Sequence, residues 1–187
     1  MAALNALDRH LALIGFMGAG KSTLVAPVAE RLGRTGRDLD AEATRLIAAH
    51  GLEGFRRIEA SIVKQALDRR EPAAYAFGGG AVTTEEVRDA LAAAAFTVLL
   101  DVEVDAAWER VRGSDRPLAQ EEGSFRRLFD ERQPIYRDVA DAVAQDEDGV
   151  VLAAAGIHHE LGALERLGEL VPGDGPVALV ADSTVMG

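Results

Sequence analysis

The chain predicts an α/β domain, a parallel sheet with helices packed on both faces. Short apolar runs of strand length recur at residues 11–14, 73–77 and 96–100. Between them lie stretches whose apolar residues follow helical spacing. The connections are short, so each strand is regained by a right-handed crossover that lays it parallel to the one before. At 187 residues the chain can bury one good core and is short for two.

Taken in order, the first strand is Leu11-Ala12-Leu13-Ile14, and it runs directly into Gly15-Phe16-Met17-Gly18-Ala19-Gly20-Lys21-Ser22. That is the phosphate-loop pattern of a glycine, four free positions and Gly-Lys-Ser. Leu24, Val25, Val28 and Leu32 give residues 21–32 one apolar helical face, which Pro27 should bend or cut short. Residues 34–40 should hold the second strand, although Arg-Thr-Gly-Arg-Asp-Leu-Asp is polar for a buried one. Helices are expected over 41–49 and 55–68, the second with Phe55, Ile58, Ile62, Ala66 and Leu67 on one face. The strand at 73–77 leads into Gly78-Gly79-Gly80. Thr83 with Glu86 reads as a capping box that opens a helix to about residue 94.

Residues 96–100 form the clearest buried strand. A helix over 104–112, a polar stretch over 113–123, a helix over 125–140 and a strand over 141–145 follow. A last helix is expected over 150–167, with Ile157, Leu161 and Leu164 inward. Val171-Pro172-Gly173-Asp174-Gly175-Pro176 is linker chemistry. The strand pattern after it, 177–182, is either the opening of a second domain or a sixth strand on the sheet edge, which divides the chain into 1–170 and 171–187.

Composition narrows the functions. Hydrophobic residues make up 48%, charged residues 27% and aromatics 5%, so the core rests on Ala, Leu, Val and Ile. A net charge of −11 repels both a nucleic-acid backbone and anionic lipid, and neither partner is expected. The first nine residues carry no signal pattern, and no run approaches the roughly 18 apolar residues of a membrane span. Without cysteine there is neither a disulfide framework nor a thiolate site, which suits a cytoplasmic location. The four histidines, His10, His50, His158 and His159, are expected in surface roles, since the adjacent pair faces different directions on a helix.

The glycines of the loop let successive N–H groups curl around a phosphate, and the helix opening at Lys21 adds its positive end. Lys21 can reach the β- and γ-phosphates from a solvated site, and Ser22 a Mg²⁺ ion. Only two lysines occur, Lys21 and Lys64, and one stands where arginine would not serve. Asp38 and Asp40, two apart at a strand end, point to one face beside the loop. One can hold a Mg²⁺ water and the other an acceptor hydroxyl; capping of the next helix is the plain alternative. Asp101, closing an apolar strand, is a rival metal ligand. The triglycine removes three side chains at the sheet edge where ligands bind in such folds. Arg116-Pro117-Leu118 sits where a lid could bring a guanidinium to a transferring phosphoryl group. Arg132 one turn before Tyr136, and Arg56 beside Arg57, offer forks for a carboxylate.

In this order the elements resemble the shikimate kinases: 15–23, Asp38-Leu39-Asp40, Phe55-Arg56-Arg57-Ile58-Glu59, Gly78-Gly79-Gly80-Ala81-Val82, Arg116-Pro117-Leu118 and Arg132-Gln133-Pro134-Ile135-Tyr136. The resemblance spans nearly all of residues 10–167. It implies a P-loop NTPase of the nucleoside monophosphate kinase type, with five parallel strands in the order 2-3-1-4-5. It also implies ATP-dependent phosphorylation of the 3-hydroxyl of shikimate by a domain that is monomeric in isolation. Position by position, Gly18, Ala19, Gly20, Lys21, Ser22 and Thr23 would serve the nucleotide, with Ser22 and Asp38 on Mg²⁺. Asp40 would orient or deprotonate the acceptor hydroxyl. Arg56, Arg132 and Gly78, Gly79 and Gly80 would hold the acceptor, Glu59 would brace Arg56, and Arg116 would be the lid arginine.

The chain departs from that pattern between Asp40 and Phe55, where it is roughly two helical turns shorter and lacks the family's glycine-serine-isoleucine segment. A thinner acceptor wall is the expected result, and it keeps two alternatives open: a kinase of another hydroxy acid such as gluconate, or a nucleotide-binding domain without catalysis. The tail at 176–185 resembles the opening strand of dehydroquinate synthase, which implies a fused kinase and synthase.

Overall fold

The structure, a computed structural model, describes residues 8–47, 51–114 and 116–155, and gives the backbone alone for 46, 47 and 51–57. Five strands form one sheet: β1 (His10–Ile14), β2 (Gly36–Asp38), β3 (Ala74–Ala76), β4 (Ala95–Leu100) and β5 (Ala142–Ala144). Their spatial order is β2-β3-β1-β4-β5 and every pairing is parallel. The expected α/β class and strand order are therefore present.

Period-two alternation along the strands separates two cores. Leu11, Leu13, Ala74, Ala76, Val98 and Leu100 face Val25, Val28 and Ala29 of α1 (Lys21–Arg31) and Val150, Ala153 and Ala154 of α7 (Glu147–Ala154). Ala12, Ile14, Tyr75, Phe77 and Leu99 face the opposite layer. That layer is built from α3 (Gly51–Leu67), α4 (Glu85–Ala94), α5 (Val104–Val111) and α6 (Glu122–Val139). The carboxyl ends of β1, β2 and β3 open onto the phosphate loop, onto α2 (Leu39–Ile47) and onto the triglycine, so the crevice above them is where a ligand belongs in this topology. Among the described residues no helix is long and apolar enough to cross a membrane.

Several boundaries differ from expectation, each for a local reason. The second strand is confined to three residues because Asp38 caps α2, accepting the Ala41 N–H at 3.0 Å. Asp40 consequently lies in a helix and not at a strand end. The polarity of β2 follows from its edge position, and a Cβ on Gly36 would meet Val25 O at 2.8 Å, so glycine is what lets α1 lie close to it. Helix α1 runs unbroken through Pro27. No capping box opens α4. Thr84 is the cap residue, while Thr83, in a 3₁₀ turn over Ala81–Thr83, donates its hydroxyl to Gly80 O at 2.6 Å. Helix α7 starts three residues early, where Asp146 accepts the Gly149 N–H.

His10 is the clearest correction. It is buried in β1, its Nδ1 accepts the Ala73 N–H at 3.1 Å, and its Nε2 lies 3.0 Å from Arg69 O. The tautomer that satisfies both partners carries its proton on Nε2. His50, His158 and His159, the inward residues Ile157, Leu161 and Leu164, and the whole tail from 171 lie outside the described residues.

Candidate active site

The phosphate loop connects β1 to α1 through a conformation only glycine adopts easily. Gly18 has φ +85°, and a Cβ there would meet Ala107 O of α5 at 2.7 Å. Gly15 has φ +138°, and a Cβ there would meet Leu100 O at the end of β4 at 2.6 Å. The loop is thus pressed between two elements that leave no room for side chains. Phe16, in one of the motif's free positions, fills the layer beneath. Its ring stands edge-on to Phe125 at 5.0 Å and to Phe129 at 5.1 Å, both on α6.

Lys21, the first residue of α1, is buried, with its ammonium donating to Gly15 O at 2.7 Å and Phe16 O at 2.9 Å. A solvated lysine was the expectation. Instead the side chain folds back onto the loop's own carbonyls, and burial pushes its pKa down from 10.5 to about 8. Asp40 is the strongest charge opposing that fall and Asp38 a weaker one, while Arg116 and Arg132 add to it. Four residues singled out from sequence therefore act on one ammonium. Asp101 is not among the charges felt there, and its N–H is spent on Ala144 O at 2.8 Å.

On the acceptor side the triglycine meets two carboxylates. A Cβ on Gly78 would stand 2.6 Å from Asp40 Oδ1 and 2.7 Å from Glu59 Oε1, so the missing side chain makes the room both acids occupy. Glu59 is buried on α3. The triglycine carbonyls are all taken. Gly78 O accepts from Ala81 N–H at 3.0 Å, Gly80 O from Thr83 N–H and hydroxyl, and Gly79 O from the Tyr136 hydroxyl at 2.5 Å. Arg132, one turn earlier on α6, is buried at 9% exposure. Burial pushes the Tyr136 phenol up to about 12, against the opposing charge of Arg132, so it stays a donor at any physiological pH.

A phosphate loop sharing a crevice with paired acids and a buried arginine is the layout of a small-molecule kinase, and the shikimate kinase family model matches residues 17–156, most of the chain. The chain belongs to the shikimate kinase family. A shikimate kinase of Rhodopseudomonas palustris is 38% identical over 149 residues, covering 73% of each chain. One from Symbiobacterium thermophilum is 39% identical over 145 residues, 70% of this chain and 83% of its own. Among solved structures, shikimate kinase from Acinetobacter baumannii in complex with shikimate has a TM-score of 0.68 at 30% identity, over 85% of this chain and 92% of that one. A gluconokinase from Sinorhizobium meliloti 1021 covers 87% of this chain and 95% of its own at 21% identity and TM-score 0.55, and shares the fold alone.

Within this family member the predicted positions divide in three. Gly18, Ala19, Gly20, Lys21, Ser22 and Thr23 are in the loop and the first turn of α1, with Ser22 and Thr23 exposed. Asp38, Asp40, Arg116 and Arg132 converge on Lys21, and Gly78 on Asp40. Arg56 lies on α3, but its side chain is outside the described residues. Two contacts were not legible beforehand. Arg110 of α5 donates to Gly18 O at 2.9 Å, though in sequence it looks like any charge on a solvated helix face. Tyr136 was visible only as a neighbour of Arg132; nothing in the order of residues ties it to Gly79.

Proposed function

We propose that this chain transfers the γ-phosphoryl group of ATP to the 3-hydroxyl of shikimate. The observation that carries the reading is the meeting of Asp40, Glu59 and Gly78 beside a complete phosphate loop, in a chain of this family. Phosphoryl transfer depends on positioning and charge neutralisation more than on covalent help. The loop N–H groups and Lys21 hold the donor phosphates, and Arg116 closes over the transferring group. Asp40 orients the acceptor hydroxyl and takes its proton. Arg132 and Arg56 grip the acceptor carboxylate, which suits planar forks.

The donor set near the loop suits Mg²⁺, a hard cation taking oxygen ligands and keeping several waters. Ser22 offers an exposed hydroxyl, and Asp38 spends one oxygen on its cap and keeps the other for an outer-sphere water. The ion, when bound, supplies charge neutralisation between the phosphates. A cytoplasmic monomer is the setting we propose, with 1–170 as the kinase and the tail as the start of a further domain.

ADP release assayed with shikimate, gluconate and quinate tests the reading. Shikimate alone should stimulate it, with KM toward or above the upper end of the usual roughly 1 μM to 1 mM range, because the acceptor wall is short. No stimulation at any shikimate concentration sinks the proposal. Arg132→Ala should cost on the order of 1.5–3 kcal/mol of acceptor binding and raise the shikimate KM far more than that for ATP. Equal effects on both substrates would move Arg132 to the nucleotide side.

A further inference from the structure

The triglycine turns its oxygens into the protein and leaves N–H groups behind. All three carbonyls have donors, whereas the Gly79 and Gly80 N–H groups reach no acceptor among the described residues. Two of the three carbonyls are held from within the turn, by Ala81 and Thr83. The third, on Gly79, is held from 57 residues away, by the hydroxyl of Tyr136. A glycine-glycine peptide has no side chain to resist rotation, so this one bond decides which way that peptide faces. In a trans peptide the C=O of one residue and the N–H of the next point in opposite directions. Holding Gly79 O against α6 therefore turns the Gly80 N–H away from it.

We infer that Tyr136 is a positioning residue for the acceptor: by holding the Gly79 carbonyl it aims the Gly80 N–H at an acceptor oxygen. The inference rests on the kinase reading above and names a part of the site that reading does not assign. Three features support it. The Tyr136 ring is buried, at 1% exposure, so the hydroxyl is delivered from a fixed mount. Its phenol does not ionise in the working range, so it keeps the proton that it donates to the carbonyl. Gly79 also packs against the phosphate loop, since a Cβ there would stand 3.4 Å from both the Tyr136 hydroxyl and Gly15 O and 3.5 Å from Met17 N, ordinary contact distances. Released from Tyr136, the peptide can flip and present a carbonyl where the acceptor needs a donor.

Tyr136→Phe tests this, because it keeps the ring and removes only the hydroxyl. In steady-state assays the shikimate KM should rise about tenfold, as expected for one lost hydrogen bond plus a misdirected peptide, with the ATP KM within about twofold. A purely structural tyrosine would lower the melting temperature without splitting the two KM values, and that result overturns the inference. A crystal structure of the variant reads the peptide directly, whatever the acceptor proves to be. A rotated or doubled Gly79 carbonyl is expected, and a single unchanged orientation overturns the inference even if the KM values move. Should the wild-type protein leave shikimate untouched, the functional reading fails while this second readout still decides the role of Tyr136. Should the variant not fold, amide spectra of the wild-type protein serve instead: the Gly80 N–H should shift on shikimate saturation, and an unmoved Gly80 signal with shikimate bound overturns the inference.

Discussion

Lys21→Ala should lose turnover by on the order of 10³-fold or more while melting no lower than the wild-type protein. The first half follows from removing the cation that the phosphate loop places to reach the transferring phosphates. The second follows from burial, because the ammonium is held among carbonyls where it is poorly solvated. Its pKa of about 8 in the fold against 10.5 for the free side chain gives the sign. Below pH 8 both states are protonated and the fold carries the full cost of the buried charge. Between pH 8 and 10.5 the unfolded chain holds the extra proton, so stability rises with pH by on the order of 3 kcal/mol and then levels off. The alanine variant should lack that rise. Nucleotide binding runs the opposite way, since phosphates favour the protonated lysine. MgATP affinity should be full below pH 8 and decline above it. Denaturant titrations and nucleotide binding across pH 7 to 10.5 check both trends, and a flat wild-type profile would contradict the buried lysine.

Gly78→Ala should be the most damaging single-methyl change in the acceptor site. The new Cβ would fall 2.6 Å from Asp40 Oδ1 and 2.7 Å from Glu59 Oε1, well inside contact distance for both. One or both acids must move. A shift of about 1 Å in the group that orients the nucleophile can cost about 10²-fold in rate, so kcat should fall by that order with the ATP KM unchanged. Overpacking should add a stability loss of about 1–3 kcal/mol. Rates and melting of the variant decide it, and near-normal kcat would show that Asp40 is not held where the hydroxyl must sit.

How much of this was readable in advance depended on the reach of each interaction. The phosphate loop was legible because its chemistry is local, eight consecutive residues with glycine at positions where φ or crowding demands it. Strands β1 and β4 were legible because both their faces are covered and their apolar runs are continuous. Asp38 and Asp40 were found as a pair, and Asp38 does end its strand, but Asp40 was misplaced, since nothing local showed that a helix starts at Leu39. His10 was misjudged for a plainer reason. A polar residue at a strand start looks exposed until partners from 59 and 63 residues away satisfy both ring nitrogens. The burial of Lys21 and the bond from Tyr136 to Gly79 likewise belong to the assembled fold.

Helix α6 carries more than its arginine. Phe16 of the donor loop is wedged against its Phe125 and Phe129, and Gly79 of the acceptor loop hangs from its Tyr136. Donor and acceptor seats are therefore bolted to one rod. When that rod rocks, both seats travel with it, and their separation, the quantity on which an in-line transfer depends most steeply, is insulated from thermal jitter. Alignment is built in as common-mode motion.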